Sequence, residues 1–387
     1  IILLILVGVS INLAIKGDLF GSAEKAVSGT NDKTAQEQTR VDELMGELGR
    51  VEEQQRQDNL PGTRVTENTK YIRDGKTAWI PKGFTVSGIK SEQSIDNGLV
   101  IYDIPEGITP DWTNPDSVKT KYNQFVWIPV EVKSTDTENS IASFYRSAWA
   151  ANASTGGERT TGLATVYTEP NSTNDTTDKT GIADQITELT KSIYKYGGFY
   201  IGRYEAGVKP ATDGTATPRT SSSSQTEEFV VQQDKYPYIY ITWGKSMSDV
   251  SEGAVYLCNN LYSSTNTNYG ATSMLCSGVS WDSMLDFVKD SSHSVTDSAT
   301  WGNYYNSETY KVYRGSLYSN SGWSTVNTTT GTEVTKNSSV LLTTGATERN
   351  SSKNIYDVAG NCWERTTESD SSSYRVDRGR QLQPRWF

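Results

Sequence analysis

The tetrapeptide NLPG (residues 59–62) separates helical sequence patterns from strand-like ones, and this change limits what the chain can fold into. Proline and glycine end a helix that reaches this point. Before it, apolar residues recur at helical spacing; after it, short runs of β-branched and aromatic residues are bounded by Gly, Pro and Asn. We predict a hydrophobic helix at 1–20, a polar helical stalk at 21–60 and an α+β domain at 61–387.

Residues 1–15 read IILLILVGVSINLAI, and no charge occurs before Lys16. A bilayer-spanning helix takes about 20 apolar residues, so the run is short. It fits the core of a signal peptide, the lower part of a membrane helix, or a buried helix. The segment resembles the hydrophobic helix of prepilin-like proteins, which implies attachment to a membrane or a filament.

The stalk carries one narrow apolar stripe, because Val41, Leu44, Leu48 and Val51 recur at spacings of three and four on a charged helix. A stripe this thin is typical of a coiled coil or of packing between two helices. We therefore expect the stalk to permit self-association.

Composition excludes some functions. The net charge is -10 and no Lys/Arg cluster occurs, so we expect no nucleic-acid partner. The three cysteines form no CxxC pair, and the single histidine, His293, cannot build a His-rich metal site. Hydrophobic residues make up only 35%, but 10 Trp and 22 Tyr supply large buried areas.

Local patterns predict elements of the α+β domain. Three β-branched and aromatic runs predict strands: 77–88, 97–105 and 123–132. Two apolar faces predict helices: 182–194 and 280–289. Two Ser/Thr/Gly-rich stretches predict loops: 154–179 and 209–226.

Six segments of this domain occur in an order that identifies a resemblance. They are FVWIPVE (125–131), GGFYIGRYEAG (197–207), YPYIYITWGKSMS (236–248), MLCSGVSWDSMLDFV (274–288), TWGNY (300–304) and NIYDVAGNCWERT (354–366), the last followed by RVDRG. Together they resemble the formylglycine-generating enzyme family, a branch of the C-type lectin-like fold. The match is spread over 70–380 and is most specific at 355–364. It implies an irregular, loop-rich domain.

The most specific segment brings Asp357, Asn361 and Glu364 within eight residues, with a glycine that permits a tight turn. Calcium takes six to eight oxygen ligands from such groups. The residues alone leave an alternative, in which the two carboxylates cap a turn and pair with Arg365 or Arg375.

In the formylglycine-generating enzyme family, the segment that this one resembles holds a structural calcium ion. By position, the resemblance implies a Ca²⁺ site formed by the side chains of Asp357 and Glu364 and the carbonyls of Gly360 and Cys362. We take Ca²⁺ as the expected cofactor.

The resemblance also bears on catalysis. Its oxidising members bind copper through a cysteine pair placed after the RVxRG segment, and its iron-dependent relatives need several histidines. Cys258, Cys276 and Cys362 lie elsewhere, and His293 is the only histidine. We predict a non-catalytic binding scaffold.

Exposed rings beside Asn and Ser suit the recognition of a glycan or a protein. We expect Trp243 and Trp363, in contrast, to belong to the core. The expected ligand-binding residues are Trp301, Tyr304, Tyr305, Trp323 and Arg378. The predicted function is a ligand-binding protein on the cell surface or outside the cell; a filament subunit and a formylglycine-generating oxidoreductase are the alternatives.

Members of the formylglycine-generating enzyme family continue after the RVxRG segment with GSW or GSY, whereas this chain reads RGRQLQPRWF. A shift of one base in a suitable coding sequence would restore a Gly-Gly-Ser-Tyr continuation. We therefore expect the parent gene, or a relative, to encode a longer domain.

Overall fold

A computed structural model describes residues 31–161, 169, 181–222, 226–246, 249–319, 322–338, 340–369 and 375–379. The predicted segment 1–20 and the C-terminal peptide 380–387 lie outside the described residues. The chain divides into two compact units, Ile1–Asn59 and Leu60–Phe387. Among the described residues, no helix combines the length and hydropathy needed to cross a bilayer.

The first unit contains helix α1, Asn31–Asp58. Its charged face carries local pairs such as Arg56 with Glu53, whose Nη2 and Oε1 atoms lie 2.7 Å apart. Such exposed pairs each contribute about 0.3–0.5 kcal/mol. Leu44 and Val51 of the predicted stripe are 40% and 54% exposed. Self-association through this stripe stays a prediction.

The second unit contains four of the five described α-helices, two short 3-10 helices (Lys90–Glu92 and Glu348–Asn350) and all described strands. The α-helices are α2 (Pro115–Lys119), α3 (Ile182–Tyr196), α4 (Gly253–Leu261) and α5 (Gly278–Val288). The strands are β1 (Thr69–Arg73), β2 (Lys76–Ile80), β3 (Thr85–Val86), β4 (Val100–Tyr102), β5 (Gln124–Pro129), β6 (Ala148–Ala150), β7 (Glu158–Thr160), β8 (Gly198–Gly202), β9 (Gly207–Val208), β10 (Phe229–Val230), β11 (Tyr310–Val312), β12 (Ser316–Ser319), β13 (Gly322–Thr325), β14 (Thr332–Val334), β15 (Leu341–Leu342), β16 (Ser351–Ser352), β17 (Ile355–Tyr356), β18 (Glu364–Ser369) and β19 (Arg375–Arg378).

The largest described sheet is antiparallel, in the order β3-β4-β5-β8. Its inner strands bury Val100, Val126 and Ile128 completely. Each such side chain stabilises the fold by about 1.5–3 kcal/mol. Gly198 is required in β8, because a Cβ there would lie 2.4 Å from the carbonyl oxygen of Ile128.

Helix α3 covers this region, and glycine defines both of its ends. Gly181 and Gly197 adopt left-handed φ angles of 74° and 77°, and the Gly197 N–H bonds the Ile193 carbonyl. A glycine at the C-terminus pays no Cβ penalty in this conformation. Ile182 and Ile193 of α3 are fully buried. The remaining described strands form seven smaller sheets of two or three strands.

The structure confirms a mixed α+β domain and the predicted strands within 77–88, 97–105 and 123–132. Both predicted helices are confirmed, as α3 and α5. Two features differ from the sequence-based expectation: helix α4 was not predicted, and the loop expected at 154–179 contains strand β7, which pairs with β6. Arg159 stabilises that hairpin by lying 4.1 Å from the Tyr145 ring centroid, a contact that composition does not reveal.

Candidate ion-binding turn and aromatic face

The segment between β16 and β18 has an unusual backbone. Lys353, Asn354, Asp357 and Asn361 have φ angles of 47°, 64°, 62° and 66°, and Gly360 has 97°. Left-handed conformations of non-glycine residues are costly, and they concentrate where the surrounding structure and function require them. We call residues 353–364 the ion-binding turn, after the function predicted for it.

Asn361 holds this turn in place with all of its side-chain hydrogen-bonding capacity. Its Oδ1 accepts from the Leu342 N–H at 2.8 Å and from Asn303 Nδ2 at 2.9 Å. Its Nδ2 donates to Glu205 Oε2 at 2.7 Å and to the Leu342 carbonyl at 3.1 Å. Asn361 was predicted to offer an oxygen to an ion, but that oxygen accepts hydrogen bonds from the β15 backbone and from Asn303 instead.

Glu205 is a third carboxylate at this turn, and sequence reasoning missed it. It follows β8, and its Oε1 accepts from the Cys362 N–H at 3.0 Å. Burial and the charge of Asp357 raise the pKa of Glu205 well above its usual range. The signal was present in the sequence, because Glu205 lies within the segment GGFYIGRYEAG that contributed to the resemblance.

Asp357 and Glu364 complete a group of three carboxylates. Asp357 Oδ2 accepts from the Gly345 N–H at 2.7 Å, but Asp357 Oδ1 and Glu364 Oε2 are buried without a hydrogen-bond partner among the described residues. Burial raises the pKa of Asp357 to about 7. Burial and the charges of Glu205 and Asp357 raise the pKa of Glu364 well above its usual range.

No basic side chain of the described ranges forms an ion pair with these three carboxylates. Arg365, which the sequence offered as a partner for them, instead binds Asp377 at 2.7 and 2.9 Å. Uncompensated carboxylates in a buried location favour either protonation or a cation.

Three of the four predicted calcium ligands, Gly360, Cys362 and Glu364, have neighbouring groups. Glu364 Oε2 and the Cys362 carbonyl oxygen both border Gly379, where a Cβ would lie 2.5 and 3.4 Å from them. The Gly360 carbonyl accepts the Cys362 N–H at 2.9 Å. In the described part of the chain, no three His, Cys, Asp or Glu side chains are spaced to hold a metal. An ion bound by Asp357 or Glu364 would therefore use backbone carbonyls and solvent as well.

The predicted ligand-binding residues divide into two groups. Trp301 and Tyr304 are only 4% and 6% exposed, so these rings support the surface from within. Tyr305 is 44% exposed and Trp323 is partly buried. Arg378 is held by Glu368, to which its Nε donates at 2.7 Å. Trp301 and Tyr304 are therefore not exposed rings, and Trp323 packs on the buried cluster that contains them.

Trp323 also contacts two tyrosines that sequence reasoning missed. Its ring centroid lies 4.6 Å from that of Tyr236 and 5.6 Å from that of Tyr318. Tyr318 and Trp323 are paired across β12 and β13. We call Tyr236, Tyr318 and Trp323 the aromatic face. No local pattern indicated this grouping, because 82 residues separate the first of these rings from the second.

The ion-binding turn supports the aromatic face through shared packing. Trp323 and Cys362 both contact the buried cluster that contains Trp301 and Tyr304. The Asn361 N–H also donates to the Asn303 carbonyl at 2.8 Å. The turn and the aromatic face therefore share one close-packed cluster.

The two tryptophans assigned to the core differ. Trp243 is buried and its Nε1 donates to the Thr366 carbonyl at 2.9 Å, which confirms the prediction. The prediction for Trp363 was wrong, because its side chain is 53% exposed. Alternate residues of an extended chain point to opposite sides. Cys362 packs inward, so Trp363 points to solvent.

The three cysteines are free thiols. Burial raises the pKa of Cys258 to about 12. Burial and nearby carboxylates raise the pKa values of Cys276 and Cys362. A neutral buried thiol is a poor nucleophile.

Comparison with known proteins adds no relative: no family model, no curated protein and no solved structure matches the chain.

Proposed function

We propose that the second unit is a non-catalytic, lectin-like domain that binds an extracellular glycan or protein through the aromatic face. The observation that carries this proposal is the contact of Tyr236, Tyr318 and Trp323, three rings that remain partly accessible to solvent. Aromatic rings supply large contact areas at low entropic cost and stack on sugars or protein side chains.

A calcium ion in the ion-binding turn is the second part of this proposal. Asp357 and Glu364 each offer a buried carboxylate oxygen without a partner, and the Cys362 carbonyl lies beside the latter. Bound there, Ca²⁺ would balance the negative charge of these carboxylates, which have no basic partner among the described residues. The ion would then hold the turn, and through it the packing beneath Trp323.

A binding role is favoured over the oxidoreductase alternative. The raised pKa values of these partly buried thiols favour the protonated form at neutral pH, whereas redox and metal chemistry at cysteine uses the thiolate. Stoichiometric copper or iron in the purified protein, measured by elemental analysis, would instead support the enzyme.

The display on a cell surface, as an anchored receptor or a filament subunit, rests on the sequence of residues 1–20. Electron microscopy of producing cells separates the two arrangements, because filaments labelled by an antibody to the second unit would support the filament subunit.

The aromatic face is tested by a glycan and cell-surface binding screen with the full chain in 2 mM Ca²⁺. We expect Trp323→Ala to weaken binding by at least about 30-fold, as central aromatic anchors do. Tyr318→Ala, which removes less buried area, should show a smaller loss. Tyr313 is 53% exposed and outside the face, so Tyr313→Ala is the matched control. Binding that survives both face substitutions would contradict the proposal.

A further inference from the structure

A second part of the domain, distant in sequence from the aromatic face, forms an open groove of about 650 Å³. Trp79 of β2 and Tyr196 at the end of α3 line it, together with Asn68, Lys82 and Lys195. This volume lies in the range of small-ligand pockets. Neither the resemblance nor the proposed function uses any of these residues.

The floor of the groove is an ordered pair of rings. The Trp79 and Tyr196 centroids are 5.4 Å apart at an interplanar angle of 61°. The Tyr200 hydroxyl donates to the Trp79 carbonyl at 3.1 Å and fixes the strand beneath the indole. The Trp79 Nε1–H has no hydrogen-bond partner among the described residues, so it remains available to a ligand hydroxyl.

An amide borders the rings and is itself held in position. Asn68 Oδ1 accepts from the Lys82 N–H at 2.9 Å, and Asn68 Nδ2 donates to the Tyr196 hydroxyl at 3.4 Å. Because an amide nitrogen carries two N–H groups, one remains for a guest. Indole, amide and phenol together present hydrogen-bonding groups beside an apolar surface.

Two ammonium groups give the groove a local positive charge, which is unusual in a chain of net charge -10. Lys82 Nζ donates to the Thr267 carbonyl at 2.9 Å and keeps two further N–H groups. Lys195 Nζ lies 4.9 Å from the Tyr196 ring centroid. Glu67 also lines the groove, so its lining carries a net charge of about +1.

We propose that this groove binds an acidic sugar, a pyranose that carries a carboxylate. The sugar ring packs its C–H groups into the angle between the Trp79 and Tyr196 rings, its hydroxyls bond the indole N–H and the Asn68 amide, and its carboxylate pairs with Lys82 and Lys195. A long polyanion such as nucleic acid is a poorer match, because binding its phosphates takes a basic stripe that the chain lacks.

The test uses tri-galacturonate and its carboxyl-reduced, neutral counterpart as probes of the full chain. Indole N–H signals are recorded by NMR, and Trp79→Phe identifies the signal of Trp79 among the 10 tryptophans. We expect tri-galacturonate to shift the Trp79 signal and the neutral trimer to bind about tenfold more weakly, a difference of about 1.4 kcal/mol. Raising NaCl from 0.05 to 0.5 M should reduce that difference.

Charge substitutions locate the carboxylate. Lys195→Ala should weaken binding about two- to fivefold, as an exposed ion pair does, and Lys82→Ala/Lys195→Ala by about tenfold. Lys191→Ala removes the same charge from the same helix outside the groove and should bind as wild type does.

Three results would overturn the proposal: a Trp79 signal that does not move, equal affinity for the acidic and neutral trimers, or equal losses for Lys191→Ala and Lys195→Ala. The proposed function fails separately, because its readout is the loss of binding in Trp323→Ala. Movement of the Trp323 signal alone would assign tri-galacturonate to the aromatic face and exclude the groove.

Discussion

Arg203 and Glu205 are only two residues apart, yet their side chains belong to buried clusters of opposite character. Arg203 is 1% exposed, and its Nη1 lies 2.8 Å from Glu92 Oε1. Glu205 contacts the ion-binding turn, where Asp357 and Glu364 add two carboxylates without a basic partner among the described residues. The first cluster therefore includes a basic side chain that balances its acid, whereas the second has none among the described residues.

The pKa values show the consequence. Burial alone would raise the pKa of Glu92, but Arg203, Lys119 and the hydroxyls of Ser87 and Tyr102 outweigh it and hold this pKa below its ordinary value. The pKa values of Glu205, Asp357 and Glu364 are instead raised above their ordinary values. A built-in counter-ion makes a buried acid a structural element, and its absence makes the acid a site for a proton or a metal.

The largest effect should come from breaking the complete cluster. Arg203→Met leaves Glu92 buried without its closest cation and removes a guanidinium that lies 5.5 Å from the ring centroids of Tyr204 and Tyr356. We expect a loss of about 3–5 kcal/mol in the free energy of unfolding, measured by urea denaturation. Adding Glu92→Gln should restore part of it. A loss below about 1 kcal/mol would show that the pair is not a structural element.

The incomplete cluster should respond in the opposite direction. At pH 8 in EDTA, Asp357→Asn removes a buried charge and should raise the free energy of unfolding by about 1–3 kcal/mol; Asn also tolerates the left-handed φ of this position. Calcium at 100 times its Kd should stabilise the wild type by about 2.7 kcal/mol and the variant far less. Equal calcium responses would remove Asp357 from the ion site.

A third acid, the partly buried Asp103, combines hydrogen-bond donors with a raised pKa. Asp103 accepts hydrogen bonds from the Tyr262 hydroxyl at 2.5 Å and the Asn123 N–H at 2.8 Å, but burial dominates and raises its pKa to about 6. Because the folded pKa exceeds the unfolded value, its contribution is present below about pH 4 and is lost as pH rises through 6. The wild type should therefore lose about 2 kcal/mol across this window relative to Asp103→Asn. Parallel profiles of unfolding free energy against pH for the wild type and Asp103→Asn would contradict this prediction.

The smallest effect should come from the residue between the two clusters. The Tyr204 hydroxyl is buried without a hydrogen-bond partner among the described residues, while its ring lies 5.0 Å from that of Tyr356. Tyr204→Phe keeps the ring packing and removes only the unpaired hydroxyl, so the free energy of unfolding, measured by thermal denaturation, should rise by about 1 kcal/mol. A loss above about 1 kcal/mol would reveal a polar link between the clusters.

Local patterns predicted much of the secondary structure, because hydrophobic periodicity acts over a few residues. Helix α4 was missed because its nine residues, GAVYLCNNL, are too few to show a helical period clearly. The exposure of Trp363 was predicted wrongly because side chains of an extended segment alternate between core and solvent, and the sequence does not show which residues face the core. The packing of Cys362 on a distant cluster decides this, and it turns Trp363 to solvent.

Local sequence patterns are enough to predict a helix that ends near NLPG, a following α+β domain and a turn rich in oxygen donors at 354–364. Only the folded chain shows that Arg203 pairs with Glu92, that Glu205 contacts the turn, and that the Tyr236 ring contacts Trp323. The physical reason is the distance along the chain over which each interaction acts. Backbone preferences and periodicity are local, whereas the electrostatic environment of a buried carboxylate depends on groups that folding brings from over a hundred residues away.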